Sequence, residues 1–245
     1  MLRSLLDGRL FADAFSDTPR VVGLHGWGRT RAALTPIVEQ FGGWSIDLPG
    51  FGASPEPPEA WGARRYADVV AEAFTAAGIR PVVLGHSMGG RVAVCLAATH
   101  PDLLAGLVLT GAPLLRPAGQ GGSAPLAYRL AKRLHGLGVL GDEAMERQRR
   151  KHGSADYRNA RGVMRDTLVT LVNEDYRCQL EGIGCPVEMV WGAEDTAAPV
   201  AQAEEAAALL GDAHLEVLAG VGHDTPRLAP DALVSAVQRS LAHAA

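Results

Sequence analysis

The chain has 245 residues, of which 47% are hydrophobic and 20% charged, and its formal net charge at pH 7 is −4. These values are typical of one globular domain and argue against a disordered or fibrous chain. They also give no reason to expect a nucleic-acid partner, because the phosphate backbone selects clustered positive charge.

Neither the cysteines nor the N-terminal segment indicates a metal site or export. Cys95, Cys178 and Cys185 are widely spaced and lack the CxxC or Cys/His pattern of metal and redox centres, so we expect buried thiols. Asp7 and Gly8 precede any apolar run long enough for a signal peptide. No apolar stretch reaches the roughly 18 residues of a membrane span, so the expected location is the cytoplasm.

Short runs rich in β-forming residues alternate with longer Ala-rich stretches along most of the chain. Strands are predicted at 21–24, 44–47, 82–84, 107–109, 187–190 and 215–218, and helices around 64–77, 91–99, 201–210 and 230–242. The runs at 82, 107 and 187 are too continuously apolar for a sheet with one wet face. The pattern predicts an α/β fold with a mainly parallel central sheet, helices on both faces, and a ligand site beyond the carboxyl ends of the strands.

One segment, from about 114 to 184, breaks this alternation. It holds three helical patterns, at 125–137, 142–151 and 157–180, and no convincing strand. We interpret 114–184 as a helical cap that is inserted within one structural domain, whose core comprises 1–113 and 185–245. The cap is expected to lie over the edge of the sheet that carries the site.

The most informative motif is G-x-S-x-G at 85–89, which stands between a predicted strand and a predicted helix. In so sharp a turn Gly85 and Gly89 must lack side chains if neighbouring segments are to approach, and Ser87 is then exposed to the pocket. The strand before the motif and the helix after it favour a nucleophile at Ser87 over the alternative, an ordinary glycine-rich turn.

A serine hydroxyl is a weak nucleophile at neutral pH, so it needs a base and a group that orients the base. His223 is expected to be the base because, of the eight histidines, it alone follows the last strand in a glycine-bounded turn. Asp195 follows the preceding strand and is expected to orient His223. Glu194 and Asp224 are competing candidates for this acidic role.

Hydrolysis also requires donors for the oxyanion, commonly two backbone N–H groups. Met88 is expected to supply one because it follows the nucleophile, and Trp27 the other because its glycine-rich loop follows the strand at 21–24. The alternative for the second is an ordinary glycine turn. His25 is expected to hold this loop by hydrogen bonding, and His86 to be packing or pocket wall and not a base.

Five motifs resemble those of the α/β-hydrolase superfamily: HGWG (25–28), DLPGFGAS (47–54), GHSMGG (85–90), WGAEDTAAP (191–199) and GVGHDTP (220–226). The chain order Ser, Asp, His is also the order of that fold. The resemblance implies a structural role for Asp47. HGWG and DLPGFG with a small cap are similar to carboxylesterases that include pimeloyl-acyl-carrier-protein methyl ester esterase. Ser87 argues against the dehalogenases and epoxide hydrolases, whose nucleophile is an aspartate.

Charge is unevenly distributed along the chain. The segment 114–184 carries 12 Lys and Arg against 8 Asp and Glu, whereas the remainder carries 11 against 19. The run 147–151 is the densest basic part. A solvated helix face explains such a run, and so does steering of an anionic substrate or an acidic carrier protein.

The expected activity is hydrolysis of a small-molecule ester through an acyl-enzyme on Ser87, with neither a metal nor an organic cofactor. Three alternatives stay open. A C–C bond hydrolase or lyase would use the same three side chains. A peptidase of the proline-iminopeptidase kind would need acidic groups, such as Glu174 and Asp175, to hold a free amine. A receptor of this fold would bind a small molecule with negligible turnover.

Overall fold

The computed structural model describes residues 1–116 and 155–244, together with the isolated residues 133, 135, 141, 143 and 144. Within this part of the chain one eight-stranded sheet forms the centre of the molecule. Its strands are β1 (Leu2–Leu5), β2 (Leu10–Ala14), β3 (Val21–Leu24), β4 (Trp44–Asp47), β5 (Val82–His86), β6 (Gly106–Thr110), β7 (Val187–Gly192) and β8 (Ala213–Leu218). They lie in the order β1-β2-β4-β3-β5-β6-β7-β8.

Strands β3 to β8 are parallel to one another, and β1 and β2 add an antiparallel hairpin at one edge. All six predicted strands are present, so the predicted α/β fold with a mainly parallel sheet is confirmed. The hairpin is not among the predicted elements. Its strands are short and only partly buried, and the chain reverses at Leu6, Asp7 and Gly8, all of which have positive φ. The Asp-Gly pair is a hairpin signal that could have revealed it.

Helices of the described part are α1 (Thr35–Val38), α2 (Ala63–Ala77), α3 (Met88–Thr99), α4 (Ala155–Asn159), α5 (Gly162–Asn173), α6 (Arg177–Glu181), α7 (Val200–Leu209), α8 (Thr225–Leu228) and α9 (Pro230–His243). Four of them, α2, α3, α7 and α9, correspond to helices predicted outside the cap. No helix among the described residues is long and apolar enough to span a bilayer.

Helices bury the sheet on both faces. On one face α1 and α9 pack on the central strands, in a cluster made of Val21, Leu34, Ile37, Val38, Val82, Leu84, Val108, Val190, Leu233, Ala236 and Val237. On the other face α2, α3 and α7 cover the intervening positions, which include Val83, Leu107 and Met189. Because successive strand residues point to opposite faces, two covered faces require apolar residues at every position. This explains the continuous apolar runs in the sequence.

The predicted cap is described continuously only from residue 155 onward, and its helix pattern there differs from the prediction. Three short helices, α4, α5 and α6, replace the single helix expected over 157–180. Gly162 begins α5 with a φ of 50°, and Glu174 leaves it in extended backbone, with φ −76° and ψ 150°. The helices expected at 125–137 and 142–151 lie outside the described residues except for isolated positions, as does the basic run 147–151. The cap boundaries stay a prediction.

The three cysteines differ in exposure. Cys95 is buried in α3 and Cys185 is partly buried, but Cys178 is exposed, so the expectation of three buried thiols is wrong for Cys178. Cys178 lies on the short helix α6, of which only Leu180 is fully buried, and it occupies an exposed position of that helix.

Candidate active site

Ser87 occupies the sharp turn between β5 and α3. Its backbone has φ 52° and ψ −113°, a conformation that residues with a side chain rarely adopt. A Cβ on Gly89 would stand 1.9 Å from the Leu24 carbonyl oxygen, and one on Gly85 would stand 2.7 Å from the Gly90 Cα. Close backbone packing around this turn therefore requires the glycines of the G-x-S-x-G motif, as the sequence predicts.

The side chains of Ser87, His223 and Asp195 form one hydrogen-bonded chain. The Ser87 Oγ lies 3.1 Å from His223 Nε2, and His223 Nδ1 lies 2.8 Å from Asp195 Oδ2. Because a carboxylate can only accept, the ring proton is assigned to Nδ1, which leaves Nε2 free to accept from the serine hydroxyl. The three residues follow β5, β8 and β7, so the carboxyl ends of parallel strands bring together groups that are distant in sequence.

Asp195 is held in one orientation by its own loop. Its side chain is fully buried, and its Oδ1 accepts hydrogen bonds from the N–H groups of Ala197 and Ala198 at 2.9 and 2.8 Å. The other oxygen is thereby left to face His223. Three donors thus satisfy the two oxygens of this buried side chain.

The two competing carboxylates lie elsewhere. Glu194 is exposed. Asp224 accepts from the guanidinium groups of Arg29 and Arg227, at 3.1 and 3.0 Å from its Oδ2. Of the three acidic side chains that the sequence leaves as candidates, Asp195 is the one that reaches the ring of His223.

The backbone near the serine offers two candidate oxyanion donors, the N–H groups of Trp27 and Met88. Met88 is the first residue of α3, so its N–H is one of those that a helix leaves unpaired. The loop of Trp27 passes beside Ser87, since a Cβ on Gly26 would stand 3.2 Å from the Ser87 Cβ. Within the described residues neither N–H donates to a protein acceptor. Both are therefore available to a developing negative charge.

Buried polar groups hold the HGWG loop in place. The His25 Nε2 accepts from the Leu48 N–H at 3.0 Å, while its Nδ1 donates to the next carbonyl along the chain at 2.8 Å. Burial lowers the pKa of His25, which favours the neutral ring that this bonding needs. The buried Asp47 accepts from the Arg31 N–H at 2.7 Å and from its guanidinium. His25 thus ties the HGWG loop to the first residue after β4, and Asp47 ties the chain just beyond that loop to the end of β4. These contacts agree with the hydrogen-bonding role expected of His25 and with the structural role that the resemblance implies for Asp47.

Gly111 is a residue of the site that the sequence reading did not single out. It follows β6 with a φ of 55°, and a Cβ there would stand 3.2 Å from His223 Nδ1 and 3.3 Å from Asp195 Oδ2. The hydrogen bond between these two side chains therefore passes directly beside the glycine. A glycine immediately after a buried strand was the available signal, because close approach of another group is a common reason for one.

His86 precedes the nucleophile but bonds elsewhere. Its ring is buried and packs on the ring of His223 with 5.2 Å between centroids, and its Nε2 lies 3.0 Å from the His223 carbonyl oxygen. Burial lowers the pKa of His86 to about 4. The ring is therefore neutral near pH 7. Its Nε2 faces a backbone carbonyl while the Ser87 hydroxyl faces His223, so the contacts support the expectation that His86 is a packing residue and not the base.

Sequence and structure comparisons show which known proteins the chain is similar to. The profile described as the alpha/beta hydrolase family matches residues 21–236. The chain belongs to this family. Its fold is shared by a hydrolase from Pseudomonas aeruginosa, whose crystal structure matches with a TM-score of 0.71 at 24% identity, over 98% of this chain and 97% of that one.

Two curated relatives of this α/β hydrolase carry the same name, pimeloyl-acyl-carrier-protein methyl ester esterase. The protein of Aromatoleum aromaticum is 31% identical over 84% of this chain and 91% of its own length. The protein of Chromobacterium violaceum is 30% identical over 84% of this chain and 87% of its own length. The resemblance seen in the sequence motifs is thus confirmed over most of the chain.

Glu174 and Asp175 are the carboxylates that a peptidase could use to hold a free amine, and both already accept hydrogen bonds from other parts of the protein. The Glu174 Oε2 accepts from the Ala63 N–H at 3.1 Å and from the hydroxyl of the tyrosine two positions later at 2.6 Å. Asp175 accepts from the backbone N–H groups of Arg116 and Arg177 at 2.8 and 3.1 Å. Their contacts anchor the chain between α5 and α6, so they do not support the peptidase alternative.

Metal ligands do not gather at this site or at another in the described part of the chain, where no three His, Cys, Asp or Glu side chains converge as a metal ion would require. The polar side chains at Ser87 are paired with one another, through the bonds from Ser87 to His223 and from His223 to Asp195.

Proposed function

We propose that this α/β hydrolase is a serine esterase, which cleaves a carboxylic ester through an acyl-enzyme on Ser87. The observation that carries the proposal is the continuous hydrogen-bonded chain from Ser87 through His223 to Asp195, with distances of 3.1 and 2.8 Å. Such a chain supplies a nucleophile, a base and a group that orients the base, which acyl transfer to serine requires.

In the first half of the reaction His223 Nε2 takes the hydroxyl proton of Ser87 while Oγ attacks the ester carbonyl carbon. The carbonyl electron pair moves to oxygen, and the N–H groups of Trp27 and Met88 stabilise this oxyanion. Asp195 stabilises the imidazolium that has formed. When the intermediate collapses, the bond to the leaving oxygen breaks and His223 delivers the proton to the departing alcohol.

In the second half His223 Nε2 takes a proton from water as the water oxygen attacks the acyl carbon. The same two N–H groups stabilise the second oxyanion. The bond from the acyl carbon to Ser87 Oγ then breaks, His223 returns the proton to Oγ, and the carboxylic acid leaves. The cycle consumes one ester and one water, and needs no metal or organic cofactor.

The substrate class follows from the relatives and from charge. The names of the two curated relatives specify the methyl ester of an acyl chain on an acyl-carrier protein. In this chain the segment 114–184 carries 12 Lys and Arg against 8 Asp and Glu, an excess that suits an anionic acyl group or an acidic carrier. The proposed substrate is therefore a small alkyl ester of an anionic or carrier-bound acyl chain.

The test is hydrolysis of p-nitrophenyl esters from acetate to decanoate by the wild type and by Ser87→Ala. The variant should lose at least about 1,000-fold in kcat because it lacks the nucleophile. Ser235→Ala is the matched control, since Ser235 is exposed on α9 and donates to the carbonyl of Asp231. A free dicarboxylate monomethyl ester and its carrier-protein conjugate then compare the two forms of substrate.

The outcomes separate the remaining alternatives. Equal rates for the wild type and Ser87→Ala would refute the proposal. Labelling of Ser87 by a fluorophosphonate without ester hydrolysis would favour a C–C bond hydrolase or lyase. Binding of a small molecule with neither labelling nor turnover would favour a receptor.

A further inference from the structure

The two ring nitrogens of the buried His86 differ: Nε2 has a hydrogen-bond partner among the described residues and Nδ1 has none. The residue is 4% exposed, and its Nδ1 has no hydrogen-bond partner among the described residues. That nitrogen faces the HGWG loop, since a Cβ on Gly26 would stand 3.0 Å from it. A buried unpaired polar atom is destabilising, and an apolar side chain would avoid the cost. The reason for a histidine here must therefore lie at its other nitrogen.

The other nitrogen, His86 Nε2, lies 3.0 Å from the carbonyl oxygen of His223. A carbonyl can only accept, so Nε2 carries the proton and donates. The neutral tautomer with its proton on Nε2 leaves Nδ1 as the unpaired acceptor, which agrees with the missing partner there. Burial favours this neutral ring by lowering the pKa of His86 to about 4.

The ring of His86 supplies a hydrogen-bond donor to the carbonyl oxygen of His223. Among the described residues no other group donates to it. The flanking backbone contains Gly220, with a φ of 73°, and Gly222, so the chain that carries the base is intrinsically permissive. Because His86 immediately precedes Ser87, its hydrogen bond joins the turn of the nucleophile directly to the loop of the base.

The geometry points to His86 as a positioning residue: its Nε2–H holds the carbonyl of His223 and so sets the distance and direction from which the imidazole meets Ser87. The inference rests on the proposed function, in which His223 is the base. It assigns His86 no proton transfer and no contact with substrate.

Three substitutions separate the donor from the bulk of the ring. The amide nitrogen of Gln in His86→Gln can occupy the place of Nε2 and donate, whereas in His86→Asn it stands near the place of Nδ1 and falls short. His86→Leu has no donor. Misplacement of the base should lower kcat in the Asn and Leu variants by roughly 10- to 100-fold with little change in KM, while Gln should stay within about threefold of the wild type. The control is His100→Leu. His100 lies at the far end of α3, and this substitution removes its hydrogen bond to Asp68.

The rate of Ser87 labelling by a fluorophosphonate should follow the same order, because labelling needs the base but no ester. This readout distinguishes the two proposals: normal labelling without ester hydrolysis would defeat the esterase, and the effect of His86 would still be measured. Equal losses in the Gln and Leu variants, or a wild-type rate in Leu, would overturn the role of His86.

A measurement on the wild type covers the case in which a variant fails to fold. With ¹⁵N-labelled histidine, NMR at pH 7 should find His86 neutral, with the proton on Nε2 and a bare Nδ1. A proton on Nδ1 would overturn the inference, because Nε2 could not then donate to His223.

Discussion

The contacts of the two Asp195 carboxylate oxygens decide which nitrogen of His223 carries the ring proton. One oxygen accepts from two backbone N–H groups and the other accepts from the His223 ring. The arrangement keeps the ring proton on Nδ1 and Nε2 available to Ser87. Asp224, one residue beyond the base, has a similar side chain but pairs with two arginines. The two carboxylates thus differ in their partners, since Asp195 contacts the His223 ring and Asp224 contacts the arginines.

Replacement of Asp195 by Asn should preserve the shape and reverse the polarity of this contact. The two backbone N–H groups would keep the amide oxygen, so the NH₂ group would face His223 and favour the tautomer with its proton on Nε2. That tautomer cannot accept from Ser87, so kcat should fall by about 10³- to 10⁴-fold, in line with the known effect in serine proteases. Steady-state hydrolysis of the best p-nitrophenyl ester measures this, with circular dichroism to verify folding.

Asp224→Asn is the matched control for Asp195→Asn. It changes a carboxylate next to the base without touching the contact to the His223 ring, so kcat should remain within about threefold, as expected for a partly exposed ion pair. A larger loss in Asp224→Asn than in Asp195→Asn would show that the orienting carboxylate has been assigned to the wrong residue.

At the scale of elements, the site depends on the turns that follow parallel strands. The turns after β5, β7 and β8 supply the three polar side chains, and the turn after β6 supplies the space between them. Gly111 in that turn has positive φ and lies against both His223 and Asp195. A turn can thus shape a site through the absence of a side chain.

Gly111→Ala should therefore impair both folding and activity. A Cβ at this position would stand 3.2 Å from His223 Nδ1 and 3.3 Å from Asp195 Oδ2, and would displace these two side chains from their positions. We therefore expect kcat to fall by roughly 10- to 100-fold. The left-handed backbone should also cost about 1 to 2 kcal/mol of unfolding free energy. Urea unfolding and ester hydrolysis measure the two effects separately.

The matched control is Gly78→Ala at the end of α2. Gly78 also has positive φ, 62°, but a Cβ there would meet nothing within 4 Å. This variant should lose about the same stability from backbone strain and retain the wild-type kcat. If both variants kept full activity, the proposed role of the space at Gly111 would be wrong.

Contacts with neighbouring helices also explain why the predicted helix 157–180 is interrupted after Asn173, at the end of α5. Arg91, in α3, donates to the carbonyl of Leu171 at 2.8 Å and to that of Pro113 at 2.9 Å. Glu174, just beyond α5, accepts from the first N–H of α2. Contacts with the core thus replace hydrogen bonds that would continue the helix, and they tie the end of α5 to α3 and α2.

For the whole molecule, two buried histidines near Ser87 are expected to make stability depend on pH. Burial lowers the pKa of His25 and of His86, the latter from 6.5 to about 4. Between those values the unfolded chain binds a proton that the folded protein does not take up at His86. The contribution of His86 to the unfolding free energy is fully present above pH 6.5 and is lost as the pH falls towards 4.

The unfolding free energy should accordingly decrease between pH 7 and pH 5, with about 2 kcal/mol of the decrease arising from His86. Urea unfolding at several pH values measures it. His86→Gln removes the titrating group and retains a donor, so its stability should decline less over the same interval. Parallel curves for the two proteins would contradict a depressed pKa at His86.

Local patterns in the sequence determined the six parallel strands, the four main helices and the turn that carries Ser87, the proposed nucleophile. Apolar runs at 82, 107 and 187 identified strands that are covered on both faces, and the glycines around Ser87 identified its turn. Such features are readable because burial and backbone geometry constrain residue type within a few positions. The order of strands and loops then made Asp195 and His223 the natural candidates for the other two positions.

Only the tertiary structure decided which atoms meet. It selected Asp195 over Glu194 and Asp224 at the ring of His223 and engaged Glu174 in a structural role. It also placed Gly111 against both His223 and Asp195, and His86 against His223. It also added the hairpin of β1 and β2 and divided the predicted helix 157–180. These outcomes depend on contacts between segments that are far apart in the chain, and local propensity carries no information about such contacts until the sheet and its helices have packed.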